Sequence, residues 1–199
     1  MRQPFLVECV VLYGEICYYI GNDWKEGMFV PEYRDIYSAD RKPTGRCVLR
    51  GEKIMPGEFL MGVGVWLRNS KGEFLISKRS AEKNFPLKWE YTGGGVQAGE
   101  STLAAAVREV GEELGIRLRA EDGRLFTSIT RFEPLFAADS FEDVYLFDGD
   151  WNIQDVRLQD GETCDAKWAS PAEIRALLDA GEFVPEKYFP YLKTLFLLP

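Results

Sequence analysis

Residues 94–116, GGVQAGESTLAAAVREVGEELGI, decide how the rest of this chain is read. Ser101 or Thr102 can cap a helix there, because a side-chain oxygen at that position satisfies an orphan backbone N–H. The helix runs to about Leu114, and Gly115 can end it in the left-handed region. Leu103, Ala106, Val107, Val110 and Leu114 recur at helical spacing and give it an apolar face. Glu109, Glu112 and Glu113 are three and four residues apart, so their carboxylates share another part of the helix surface. Each like-charged neighbour pair costs about 0.2–0.5 kcal/mol if nothing intervenes. Arg108 is the only basic residue in the helix. One reading is a solvated acidic face. The other is a seat for a hard divalent cation, which takes carboxylate oxygens, keeps several waters and shares a substrate's phosphates.

Working outward, FLMGVGVWLRN, the turn NSKG and EFLISKR read as a β-hairpin over 59–79. A loop with Pro86 leads to Trp89-Glu90-Tyr91-Thr92, and Gly93-Gly94-Gly95 reads as a break in regular structure. Strands are expected around 124–133, 141–148 and 164–169. Ser170-Pro171 starts a helix near 171–180, with Ser at the cap and Pro at the first position. A final amphipathic stretch, 186–197, is expected to be helical. Elements that do not strictly alternate predict an α+β fold, a mixed β-sheet sandwiched between helices. Residues 1–27 differ in pattern from the rest of the chain and are expected to be an N-terminal extension, either an extra hairpin or upstream readthrough before a natural start at Met28. Residues 28–199 form the main domain in this reading, and mass spectrometry of the native N-terminus distinguishes the two origins.

Composition excludes several function classes. The 199 residues carry 24 Lys and Arg against 32 Asp and Glu, a net charge of -8. That argues against nucleic-acid binding, which needs basic residues to displace counterions from phosphates. A small phosphorylated ligand stays compatible, because a bound cation can reverse the local sign. The chain has no histidine, which removes serine–histidine and cysteine–histidine nucleophilic chemistry and histidine-ligated zinc. Cys9, Cys17, Cys47 and Cys164 form no Cys-x-x-Cys pair and read as reduced thiols of a cytoplasmic protein. No apolar run approaches the ~20 residues of a membrane span.

The spacing of the quoted stretch resembles the full Nudix box. Gly94 is followed after five residues by Glu100, then after seven by Arg108-Glu109-Val110, then by Glu112-Glu113 and Gly115-Ile116. Nine fixed positions match by accident at roughly one in 10⁹–10¹⁰ per start. The chain is thereby identified as a member of the Nudix superfamily, with a likeness running from about Tyr33 to Lys193. The resemblance implies hydrolysis of a diphosphate linkage in a nucleoside diphosphate joined to another group, with Mg²⁺, or Mn²⁺, as cofactor. It implies that Glu109, Glu112, Glu113 and the backbone carbonyl of Gly94 hold the metal. Arg108 and Glu100 then orient these carboxylates through charge-assisted hydrogen bonds. The general base is either Glu109 or a downstream carboxylate among Glu142, Asp143, Glu162 and Asp165, with Glu162 the preferred alternative.

Lys78, Arg79, Lys83 and Lys88 form a basic cluster that either meets phosphates or is solvated. Arg79 leads it, and Lys78 and Trp89 are further candidates for substrate binding. Trp66, Phe85, Trp89, Tyr91, Phe132, Phe136 and Tyr145 either stack on a base or pack the core, as most aromatics do. The string WLRNSKGEFLISKRSAEKNFPLKWEYTGGG is also similar to the equivalent stretch of isopentenyl diphosphate isomerases. Those enzymes need a catalytic Cys and a histidine-rich metal site, and the matching positions here are Gly94, Val96 and Leu60. A non-catalytic nucleotide-binding module is the second alternative, and the intact acidic triad speaks against it. Apolar surface expected on 1–27 and on the C-terminal helix makes a homodimer the expected assembly.

Overall fold

In the computed structural model, the described residues are 10–12, 15–17, 31–132 and 138–198. The chain divides into Met1–Pro31 and Glu32–Pro199. The first unit holds an antiparallel pair, β1 (Val10–Leu12) and β2 (Glu15–Cys17). The rest of 1–27 lies outside the described residues. In the second unit, β3 (Tyr33–Tyr37) and β4 (Pro43–Leu49) form a hairpin of their own. Cys47 and Cys164 are free, exposed thiols.

The main sheet contains β5 (Leu60–Arg68), β6 (Phe74–Arg79), β7 (Trp89–Glu90), β8 (Thr92–Gly95), β9 (Arg124–Arg131), β10 (Ser140–Asp148) and β11 (Thr163–Ala169). Its order is β11-β6-β5-β10-β9, with β7 on β6 and β8 on β5. β5 and β10 run parallel while their other partners are antiparallel, so the sheet is mixed. Both faces are covered, which is why β5 reads as a nearly continuous apolar run and β10 is buried from Phe141 to Phe147, Glu142 and Asp143 included. Strand alternation sends Val63, Val65, Leu67, Tyr145 and Phe147 to one face, against Ala105, Ala106, Val110 and Leu114 of α1 (Thr102–Leu114). Trp66, Val144 and Leu146 point the other way. They meet Ile174 of α2 (Pro171–Asp179) and Leu192 and Leu195 of α3 (Leu192–Phe196).

The helix ends follow the sequence. Ser101 Oγ accepts from Ala104 N at 3.2 Å, and Gly115 closes α1 with φ 68°. Ser170 and Glu173 form a reciprocal capping box with Pro171 in the first turn of α2. Two expectations need correction. The stretch 186–197 is not one helix: a 3-10 turn at Glu186–Tyr188 precedes α3, because Pro190 has no N–H to donate. Gly93-Gly94-Gly95 is no break either, but the body of β8, pairing with Gly64, Val63 and Gly62.

Close approach explains those glycines. A Cβ at Gly64 would fall inside the Tyr91 ring, 2.8 Å from its Cζ. A Cβ at Gly94 would overlap the Glu109 carboxylate. The hairpin of β5 and β6 holds only beside its turn, at Leu67↔Leu75 and Arg68↔Phe74. Beyond that, β8 takes the edge of β5 and β7 takes the edge of β6.

Leu192 and Leu195 of α3 are buried within the fold, so the apolar face of the C-terminal helix is spent inside one chain. Leu197 alone of that stretch is an exposed large apolar residue.

Candidate active site

The divergence of β7 and β8 opens a cavity of about 650 Å³ whose walls include Glu109, Glu112 and Glu113. That size lies within the range of small-molecule sites, roughly 300–1,000 Å³. Position on α1 sets how each carboxylate meets it. Glu113 is buried, at 8% exposure. The Glu109 side chain is 13% exposed and that of Glu112 is 47% exposed.

Arg108 is the hub of this wall. Its Nε and Nη2 donate to the two oxygens of Glu100, each at 3.0 Å, and Nη2 also donates to Gly95 O at 2.9 Å. Nη1 donates to Glu109 Oε1 at 2.8 Å and to Glu112 Oε2 at 3.0 Å. Glu100 Oε2 also accepts from Gln97 N at 3.1 Å. Burial opposes the charge on Arg108, but Glu100 and Glu109 outweigh it and hold its pKa above the ordinary value. One planar fork thus ties the strand end to two carboxylates of the helix, which a lysine ammonium cannot do. Arg108→Lys is expected to lower kcat by roughly 10–100-fold with little change in melting temperature, in the range seen when groups supporting a metal ligand are lost. Steady-state hydrolysis and a thermal melt check it.

The carboxylates crowd one another. Burial, then the charges of Glu90 and Glu109, push the Glu113 pKa up to about 8. Burial likewise raises that of Glu109 against the pull of Arg108. Among the described residues no three Asp, Glu, Cys or His side chains gather closely enough to enclose a metal as they stand; Glu109 and Glu112 are drawn to Arg108. The donor set itself is all oxygen, lines one cavity and carries a buried carboxylate in excess of its cationic partners. Those properties fit a hard divalent cation.

Two cations, each paired with a carboxylate, line the same cavity. Arg79 ends β6 and donates from Nη1 to both oxygens of Glu90, at 2.6 and 2.7 Å. Lys83 pairs with Glu162, and both line the cavity. Burial and the nearby Arg79 lower the Lys83 pKa. A third group, less accessible, joins Glu142 to Tyr91 Oη and to Arg131 Nε, the latter at 2.6 Å. Burial raises the Glu142 pKa despite Arg131. The Arg131 guanidinium also lies over the Tyr188 ring at 5.5 Å.

The structure therefore brings Gly94, Arg108, Glu109, Glu112, Glu113, Arg79 and Glu162 to one cavity, with Glu100 behind Arg108. It does not bring Lys78 or Trp89 there. Strand pairing sets Lys78 opposite Trp89, and the buried indole lies between Lys78 and Lys167, at 5.5 and 4.6 Å. Of the other base candidates, Glu142 lines the cavity, whereas Asp143 pairs with Arg41 and Ser128 and Asp165 caps Ala166 N at 2.8 Å. Trp66 and Tyr145 are core residues, Phe85 packs on Tyr188, Phe132 is exposed beside Phe59, and Phe136 lies outside the described residues. Sequence reasoning missed Glu90 and Arg131 as members of the site, as well as the contribution of β3 and β4. Only pairing register brings them in, and no local motif announces it.

Comparison with known proteins agrees with this geometry. Residues 58–192 match the NUDIX domain family. The chain is 37% identical over 164 residues to the uncharacterized Nudix hydrolase lmo0368 of Listeria monocytogenes, covering 81% of this chain and 92% of that one. It is 30% identical over 160 residues to an isopentenyl-diphosphate Delta-isomerase of Nocardia farcinica, covering 76% and 85%. DR0079 from Deinococcus radiodurans superimposes with a TM-score of 0.66 at 26% identity, over 83% of this chain and 99% of that one. Box, fold and relatives agree: the chain belongs to the Nudix superfamily.

Proposed function

We propose that this protein is a Mg²⁺-dependent hydrolase, with Mn²⁺ a substitute, that cleaves a diphosphate linkage in a nucleoside diphosphate or a nucleoside diphosphate joined to another group. The observation that carries the reading is the acidic wall of α1, where a buried Glu113 is crowded by Glu90 and Glu109. Glu109, Glu112, Glu113 and the Gly94 carbonyl would hold the ion. When bound, it neutralises phosphate oxygens and lowers the pKa of a coordinated water. Arg108, backed by Glu100, keeps Glu109 and Glu112 in a fixed orientation, so little reorganisation is needed when substrate arrives. Arg79 and Lys83, which line the same cavity, would supply donors to phosphate oxygens; each would exchange a carboxylate partner, Glu90 or Glu162, for substrate. Glu109 would take the proton from the attacking water, and Glu162 is the alternative once Lys83 is drawn away.

Isomerisation of a prenyl diphosphate does not suit these residues. The isomerase cysteine position is Gly94, which carries no thiol, and Val96 and Leu60 stand where its histidines would be. A cytoplasmic homodimer stays part of the proposal, with its interface elsewhere than the apolar face of α3, where Leu192 and Leu195 are buried within the chain. Among the described residues no helix is long and apolar enough to cross a membrane.

The test is a hydrolysis screen with Mg²⁺ over nucleoside di- and triphosphates, nucleotide sugars, ADP-ribose, dinucleotides and isopentenyl diphosphate. Cleavage of one class well above a Glu112→Gln blank supports the reading. Mg²⁺-dependent binding without cleavage across the panel would favour a nucleotide-binding module instead.

A further inference from the structure

The hairpin of β3 and β4 lies outside the matched segment 58–192, yet its base carries Glu32, Arg34 and Arg50 to the wall of the same cavity. The two oxygens of Glu32 are divided between two guanidiniums. Arg34 Nε and Nη2 donate to Oε1 at 3.0 and 2.9 Å, and Arg50 Nη1 donates to Oε2 at 2.8 Å. Glu52 lines the same wall, its Oε2 accepting from Leu49 N at 3.2 Å, so two guanidiniums and two carboxylates share it. Arg34 also lies directly on the backbone of Gly95, where a Cβ would overlap its guanidinium. It is thus adjacent to the strand whose Gly94 touches Glu109 and whose Gly95 carbonyl holds Arg108.

The hairpin is fixed at its other end. Tyr37 and Phe59 exchange backbone hydrogen bonds at 2.8 and 2.9 Å. Arg41, in the connecting turn with φ 60°, pairs with Asp143 of β10 and lies over Phe141 at 5.6 Å. Arg34 and Arg50 are accordingly held at the cavity by an anchored element.

The chemistry points to an anion. A sugar diol would need acceptors from Glu32, which already receives three guanidinium donors and keeps about one free acceptor site. Arg34 Nη1 and Arg50 Nε and Nη2, by contrast, have no protein acceptor among the described residues. A planar guanidinium fork matches phosphate oxygens bidentately. We infer that Arg34 and Arg50 receive a phosphate that the substrate carries beyond the diphosphate held at α1, so that this protein prefers a triphosphate chain to a diphosphate. The inference rests on the hydrolase reading for its place in the reaction, but not for its test.

Calorimetric titration of the full chain with the Mg²⁺ salts of inorganic tripolyphosphate and pyrophosphate reads the preference directly. The wild-type protein is expected to bind tripolyphosphate about tenfold more tightly, and Arg34→Gln/Arg50→Gln to reduce that ratio to about twofold. Equal affinities in the wild type, or an unchanged ratio in the folded double variant, would overturn the inference. Should the double variant fail to fold, Arg50→Gln alone carries the test. Its side chain is 58% exposed, and a ratio that does not fall would again be decisive. Turnover of a nucleoside diphosphate and triphosphate is measured in parallel. No cleavage of these two or of the rest of the hydrolysis panel, with the tripolyphosphate preference intact, refutes the hydrolase and supports the phosphate seat; cleavage with equal affinities refutes the seat alone.

Discussion

Glu112→Gln is expected to lower kcat/KM by about 100-fold or more while leaving the melting temperature within about 2 °C of the parent. The two effects separate because of where Glu112 stands. Its side chain is 47% exposed and its described bond is to Arg108 Nη1 at 3.0 Å. An ion pair that open to water contributes about 0–1 kcal/mol, and glutamine keeps the shape and one acceptor. Turnover loses far more, because a neutral amide is a poor ligand for a hard cation at a site whose work is electrostatic. Steady-state hydrolysis and a thermal melt on the same preparation read both. Undiminished turnover would refute the assignment of the metal carboxylates.

The second large effect is on stability. Gly64→Ala is expected to destabilise the fold by about 2–3 kcal/mol, roughly 5–10 °C in melting temperature. The added methyl would enter the Tyr91 ring, and that ring cannot step aside. It stacks on Trp66 at a centroid distance of 5.3 Å, and its hydroxyl is bonded to buried Glu142. Gly111→Ala supplies the contrast. It lies within α1, where a Cβ would meet nothing nearer than Ile116 O at 3.9 Å. Alanine there is expected to stabilise by about 0.5–1 kcal/mol, the usual helix-interior difference from glycine. Chemical denaturation of both variants checks the pair, and a Gly64→Ala protein as stable as the parent would refute the close approach.

The two glycines show how far the sequence could be read. α1 was legible from end to end, since its cap, period and terminator all lie within fifteen residues of one another. The positions of Arg108, Glu109, Glu112 and Glu113 followed from that same helix. β9, β10, β11 and α2 were legible for similar reasons, namely apolar alternation or a capping pair. Gly93-Gly94-Gly95 was not, because glycine usually weakens a strand. Here each lost side chain answers a crowding group outside the triple, Val63 O against Gly93, the Glu109 carboxylate against Gly94 and the Arg34 guanidinium against Gly95. The hairpin of β3 and β4 is hidden because its outer strand is mostly exposed and polar, with no alternation to reveal it. Pro190 is plain in the sequence, but the amphipathic pattern around it masks the effect of its missing N–H. Arg131 and Glu90 join the site through ladder register alone.

The parallel pairing of β5 with β10 also sets an order of assembly. Arg68 and Asp148 at its end are 80 residues apart in sequence and meet at 2.7 Å. Closing so long a loop is slow relative to forming α1 or the β5–β6 turn. A chain emerging during synthesis would therefore own a complete acidic helix well before Glu142 and Arg131 arrive to finish the cavity. The unpaired edge of β5, rich in valine, would wait exposed during that interval, and overloading of the refolding reaction at high protein concentration is where this topology is vulnerable to aggregation.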